Sequence, residues 1–360
     1  MPYYYILIFI VAFFLSLIFT YWVKFFAIKF NIIDKPGIER KIHKTNTPLF
    51  GGSAIFLAFF IVLYFARAKL LAGDLESHHW LGFFVGACFL MIGGFLDDKY
   101  NLSPKIQIIF PLLAIFSVIA GGVGIDKITN PLGGLISLGQ LQIPIMAWGG
   151  ATRYFVVVAD TFTVLWLMGM MYTTKLLDGV DGLVSGVAGI GGFVIFLFTM
   201  TTKYYQPDIG LAALVLSGAC FGFLIFNWHP AKIFLGEGGS LLLGYILGVL
   251  AIISGGKIAI ALLIMGIPIM DVVWTIIRRI IAGKNPFKFS DKKHLHFRFL
   301  DIGLSQRQTV VIYYGFSFIF GISALFLQSK GKVFVLAGLI IIMLFMAGFF
   351  TYLDRKRKVI

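Results

Sequence analysis

The chain has 360 residues, of which 59% are hydrophobic and only 13% charged, with a mean hydropathy of +0.94 and a formal net charge of +14. A soluble globule carries about a quarter charged residues to wet its surface, so the composition excludes a soluble multidomain protein, a disordered chain and a collagen-like repeat. Cys88 and Cys220 both lie in apolar runs, which excludes a disulfide framework or a zinc ribbon.

A hydrocarbon core of about 30 Å needs roughly 20 apolar residues per helix. Such runs predict spans at Tyr3–Phe26, Phe50–Ala66, Trp80–Leu96, Ile106–Gly122, Phe162–Leu177 and Leu183–Met200, then at Leu211–Phe226, Leu241–Ile253, Ile258–Ile277, Val310–Leu327 and Val333–Leu353. That is eleven helices, or ten if the short Leu241–Ile253 does not cross. The expected fold is therefore all-α: a polytopic integral membrane helix bundle forming one transmembrane domain over residues 1–360. The first run is too long for a cleaved signal peptide, and its first cation is Lys24.

Cations set the expected orientation. With the N-terminus outside, the inward connections and the C-terminal tail carry twenty Lys and Arg and the outward ones eight, which places the C-terminus in the cytoplasm. In a membrane protein this bias accounts for the basic charge, so no nucleic-acid partner is expected. Residues 123–160 form the long external connection, where Leu135–Pro144 alternates enough for a short hairpin. Residues 278–309 form the largest cytoplasmic loop.

The unusual polar residues collect in connections of one parity. Asp97-Asp98 ends the third span, Asp178-Gly179-Val180-Asp181-Gly182 follows the fifth, Asn227 to Ser240 follows the seventh, and His294-Leu295-His296 lies between the ninth and tenth. Adjacent carboxylates at an apolar border repel, and a divalent cation relieves that, although helix capping or solvation would also suit them. Asp178 and Asp181 could face one way or simply flank a tight turn. Gly236-Glu237-Gly238-Gly239-Ser240 offers backbone N–H groups to an anion at a helix start. His294 and His296, at i and i+2, would point together on an extended strand or stay solvated. Asp271, inside a span, should face the bundle interior and bond a neighbour. Carboxylates beside cations and glycine turns at a membrane surface fit magnesium and a phosphate-bearing substrate better than zinc or iron.

At these residues the chain resembles the polyprenyl-phosphate N-acetylhexosamine-1-phosphate transferases of glycosyltransferase family 4, in the branch that uses UDP-N-acetylglucosamine. The likeness is collinear from about Asp34 to Gln308. It runs through Asp34-Lys35-Pro36-Gly37, Arg40 to His43, Thr47 to Gly52, Asp97-Asp98, Ile128 to Pro131, Leu177 to Gly182, Asn227 with Pro230-Ala231, Pro268 with Asp271, His294 to His296, and Gly303 to Arg307. It implies transfer of a sugar-1-phosphate, N-acetylglucosamine-1-phosphate first among candidates, from a UDP-sugar to undecaprenyl phosphate with release of UMP. Magnesium would be the cofactor, with manganese as a substitute. By the same resemblance, Asp97, Asp98, Asp178, His294 and His296 are the expected catalytic residues. Lys44, Lys105, Lys175, Asp181, Asn227, Phe234 and Arg298 are expected to bind substrate, and Glu237, Asp97 and Asp98 to hold the metal. The expected setting is a bacterial plasma (inner) membrane with the site facing the cytoplasm, at the start of a lipid-linked envelope glycan such as lipopolysaccharide or teichoic acid. The bilayer is a further partner, and a second copy of the chain is the protein partner considered.

The chain departs from the family pattern in three respects, at four positions. Tyr172 and Lys175 stand where asparagines are usual, Glu237 stands for the usual metal-binding aspartate, and Phe297 stands for the second histidine of a pair. Alternatives are a phospho-N-acetylmuramoyl-pentapeptide transferase, which the first loop and the His294–Arg307 segment match less well, a non-catalytic relative, and a transporter of lipid or nucleotide. A transporter would favour ionisable groups at the midplane, whereas here only Asp271 sits clearly within a span.

Overall fold

A computed structural model of the chain describes residues 2–36, 46–130, 134–148, 151–255, 258–283 and 294–359. In chain order it contains α1 (Pro2–Lys29), the short antiparallel pair β1 (Ile33–Asp34) and β2 (Thr47–Pro48), α2 (Gly52–Phe65), α3 (Arg67–Leu70), α4 (Ser77–Tyr100), α5 (Pro104–Gln107) and α6 (Ile109–Ala120). Four strands follow, β3 (Lys127–Thr129), β4 (Leu135–Ser137), β5 (Gln142–Trp148) and β6 (Ala151–Val156). The remainder is helical: α7 (Val157–Leu177), α8 (Leu183–Thr199), α9 (Pro207–Asn227), α10 (Gly236–Ile253), α11 (Ile258–Ile264), α12 (Gly266–Ile281), α13 (Leu295–Asp301), α14 (Gln306–Phe326) and α15 (Ser329–Val359).

This is an all-α polytopic membrane protein. Among the described residues, seven helices are long and apolar enough to cross a membrane, eight if the bent pair α11–α12 counts as one, and three shorter apolar helices occupy Gly52–Phe65, Pro104–Ala120 and Leu183–Thr199. Each of the eleven predicted runs is thus a helix or a helix pair. The centre of the bundle is α10, apolar all round and enclosed by α7, α4, α2, α8, α9 and α11. At the periphery, α1 and α15 present rows of exposed Phe, Ile and Leu to lipid.

Several predicted spans take a different shape. The fourth breaks at Ile108, because Pro111 has no N–H for the carbonyl of Gln107. The ninth bends by 81° between α11 and α12; Pro268 cannot donate to Ile264, and Gly266 opens α12 at the bend. The segment Leu135–Pro144 is no hairpin of its own. Its first part pairs back on β3, while its last part belongs to β5, which pairs with β6 across the sequence Gly149-Gly150.

The start of α10 decides where the polar groups meet. Gly236 to Ser240 is the helix's first turn rather than an open loop. A Cβ on Gly52 would lie 2.1 Å from Cα of Gly239, and one on Gly94 would lie 2.2 Å from Cα of Gly238. With no side chain on either partner, α2 and α4 come into backbone contact with this turn from two sides, and Asp97-Asp98 at the end of α4 is carried to Glu237.

Candidate functional site

The four polar connections converge. A cavity of about 790 Å³ at the shared end of α4, α7, α9 and α10 is lined by Asp97, Asp98, Lys175, Asp178, Asp181, Asn227, Phe234 and Glu237, all expected from sequence. Asp34 and Thr47 contribute from the first loop, His229 from the turn after α9, Phe297 from α13 and Gln306 from the start of α14.

Hydrogen bonds fix the carboxylates. Asp98 Oδ1 accepts from the backbone N–H of Glu237 at 3.0 Å, so the first turn of α10 spends an N–H on this carboxylate rather than leaving it free for an anion. Asp98 Oδ2 is buried and has no hydrogen-bond partner among the described residues. Asp97 Oδ1 accepts from Leu102 N at 2.9 Å and from Gln107 Nε2 at 2.8 Å. Glu237 pairs with the Lys175 ammonium, which also donates to Gln107 Oε1 at 3.2 Å. Asp181 Oδ2 is held by His229 Nδ1 at 2.7 Å and Ala231 N at 3.1 Å.

Asp178 sits where α7 ends and presents its surface to the cavity. Loss of bulk water, then the charges of Glu237 and Asp181, push its carboxyl above the ordinary range. That surface opens onto the cavity, so water there tempers the rise.

Other expected residues serve the frame. Asn227 is buried and fully engaged: its Oδ1 accepts from Gly182 N at 3.1 Å and Ser185 Oγ at 2.9 Å, and its Nδ2 donates to Ile233 O at 3.0 Å. It therefore staples α9 to the start of α8 while its side chain borders the cavity. Phe234 forms part of the cavity wall, its backbone tied to Pro48 O and Gly51 N at 2.9 Å each.

The histidines are neither on a strand nor solvated. His294 caps α13, and its ring lies parallel to that of His296 at 5.7 Å. His294 Nδ1 bonds Asp271 Oδ2 at 2.9 Å, and Leu295 N donates to Asp271 Oδ1 at 2.9 Å, so Asp271 faces inward and bonds as expected. His296 is completely buried, with both ring nitrogens unpartnered among the described residues. Burial lowers its pKa to about 4; Asp271 opposes and His294 reinforces that shift. Tertiary burial overrode the strand and surface readings, since α13 packs on α14. The pair stands behind the cavity wall: a Cβ at Gly179 would lie 2.8 Å from His296 Nε2, and His296 touches Phe297.

Lys105 is exposed on α5 and is not among the lining residues. Arg298 points to α15, its guanidinium 5.5 Å from the Phe350 ring centroid. Lys44 lies outside the described residues. Two contributors went unsingled in the sequence, Gln107 and His229. A glutamine opening an apolar helix and a histidine beside Asn227 are faint signals, and only the fold brings each to a carboxylate.

Comparisons with known proteins place the chain in a family. Residues 80–255 match the family described as Glycosyl transferase family 4. The chain is 34% identical to a probable undecaprenyl-phosphate N-acetylglucosaminyl 1-phosphate transferase of Bacillus subtilis, over 97% of the chain and 93% of that protein. It is 29% identical to a decaprenyl-phosphate N-acetylglucosaminephosphotransferase of Mycolicibacterium smegmatis, over 82% of the chain and 75% of the relative. A phospho-N-acetylmuramoyl-pentapeptide-transferase of Halalkalibacterium halodurans is 28% identical, over 90% and 96% respectively.

Proposed function

Because the chain belongs to glycosyl transferase family 4, we propose that it transfers N-acetylglucosamine-1-phosphate from UDP-N-acetylglucosamine to a polyprenyl phosphate. A lipid phosphate oxygen attacks the sugar-bearing phosphorus, the bond to the bridging oxygen breaks, and UMP leaves. The observation that carries this reading is the convergence of eight expected residues around one cavity at a common end of the bundle.

The cavity supplies what phosphoryl transfer needs, namely position and charge. Asp97 and Asp98 sit at its wall as the carboxylates that orient the acceptor. Asp181, held by His229 and Ala231, and the Phe234 ring border space suited to a uridine, an aromatic face fitting a flat base. His294 and His296 act from behind, holding the Gly179 turn and Phe297 in place. Lys44 and Lys105 are cations of connections on this side and would meet the donor or acceptor phosphates at its approach, whereas Arg298 is turned to Phe350.

Magnesium fits this centre. A buried carboxylate oxygen without a donor, Asp98 Oδ2, is one a hard cation would satisfy. Magnesium usually keeps several waters and takes only one or two carboxylates plus substrate phosphates. Asp98 and Asp97 would hold it, and when bound it would spread the charge of the transferring phosphoryl group. The excess of Lys and Arg in connections on the cavity side supports a plasma membrane protein whose cavity and C-terminus face the cytoplasm.

Purified protein given magnesium, undecaprenyl phosphate and either UDP-N-acetylglucosamine or UDP-N-acetylmuramoyl-pentapeptide tests the proposal by mass spectrometry of the lipid. A lipid diphosphate carrying N-acetylglucosamine is expected. Product from the muramoyl donor alone, or from neither, refutes it.

A further inference from the structure

Lys175 occupies an unusual place. It lies in the last turn of α7, at a cavity whose wall also carries Asp97, Asp98, Asp178 and Glu237. Its ammonium pairs with Glu237, with both side chains largely withdrawn from water at 23% and 16% exposure. The same ammonium donates to Gln107 Oε1 at 3.2 Å and stands 5.5 Å from the Tyr172 ring centroid. Gln107 is itself fixed, because its amide nitrogen donates to Asp97 Oδ1 at 2.8 Å and to Leu102 O at 3.0 Å, leaving Oε1 for the lysine. Glu237 closes the circuit through its backbone N–H on Asp98 Oδ1. A continuous chain therefore runs Asp97–Gln107–Lys175–Glu237–Asp98. A flexible surface lysine would not be held by a carboxylate, a directed amide and an aromatic face together.

An ammonium has three donors and no lone pair. It satisfies a carboxylate but cannot ligate a metal, and it repels a cation brought to the same oxygen. We propose that Lys175 is the resident counter-cation of this centre: it holds Glu237 and keeps a divalent ion off that carboxylate, leaving Asp97 and Asp98 as the metal-facing pair. Lys175 is thus a positioning residue, setting where a metal can sit and which carboxylates face it. The proposal rests on the reading of the cavity as the transfer centre, but its test does not.

The test is a thermodynamic cycle on manganese binding to the full-length protein in detergent, without donor or lipid phosphate, followed by the electron paramagnetic resonance of free Mn²⁺. With Lys175 present, Glu237→Gln should change the affinity by less than about threefold. Lys175→Gln alone should tighten binding at least about tenfold, because Glu237 is released to the metal. In that background Glu237→Gln should undo the gain by about tenfold or more. Lys175→Met serves as a second removal of the ammonium, with monodispersity checked by gel filtration for every variant. The proposal is overturned if Glu237→Gln by itself weakens manganese tenfold, if neither lysine variant tightens binding, or if the tightening survives loss of Glu237. A protein that obeys the cycle but releases no UMP would refute the transferase reading alone.

Discussion

Asp98 and Asp271 are both aspartates in apolar helices, and the protein treats them in opposite ways. Both oxygens of Asp271 are matched, one by His294 and one by Leu295 N, and the residue is 5% exposed. Asp98 has one oxygen on the N–H of Glu237 and the other buried without a donor among the described residues, near the carboxylates of Asp97, Asp178 and Glu237. A fully satisfied buried group holds structure, whereas a partly satisfied one marks a place where something else is meant to bind.

The comparison breaks most visibly under substitution. Asp98→Asn is expected to lower UMP release by about 10²–10³-fold, the usual scale for one electrostatic contributor to a transition state, while the melting temperature in detergent barely moves. Asp271→Ala should show the reverse weighting. It orphans His294 Nδ1 and Leu295 N and should cost about 1–3 kcal/mol of stability, read as a lower melting temperature, while the folded fraction keeps its rate within about tenfold.

Gly52→Ala sharpens the contrast from the packing side. Its new Cβ meets Gly239 Cα at 2.1 Å, so α2 and α10 must separate. About 1–3 kcal/mol is the scale of such overpacking, and activity should fall with stability because the same contact brings the carboxylates together. Equal stability and activity would show that the helix contact does not position the site.

A pH dependence also marks the Asp271 side. His296 titrates near 4 when folded, against 6.5 for the free group. The unfolded chain therefore binds this proton more readily, and stability is undiminished above about pH 6.5 and declines as pH falls from there towards 4. The difference between wild-type and His296→Phe melting curves from pH 7.5 to 4.5 should show that slope, since the raised Asp178 carboxyl pulls the other way in both.

Much of the architecture was legible because lipid imposes a simple rule: long apolar runs are helices. The alternation of sides along the chain placed Asp97, Asp178, Asn227 and Glu237 at one end of the bundle before any contact was known. Local features that depend on tertiary packing stayed hidden. Gly236 to Gly239 suggested an anion site at a helix start; they do open a helix, but Glu237 N donates to Asp98 and the glycines admit Gly52 and Gly94 of its neighbours. The spacing of His294 and His296 suggested a strand, but burial against α14 and the anchor at Asp271 favoured a helix start. Gln107 was invisible as a site residue because its role exists only through Lys175 and Asp97, both distant in the fold until α5 and α7 meet at the cavity.

The central claim is that these converging turns form one centre for moving a sugar-1-phosphate onto a lipid phosphate. Its most direct measurement is UMP release from UDP-N-acetylglucosamine, with and without undecaprenyl phosphate, for the wild-type protein and for Asp98→Asn of matched melting temperature. The account predicts release that requires the lipid and falls to about 1% or less in the variant. Full activity in Asp98→Asn, or release indifferent to the lipid phosphate, would contradict it.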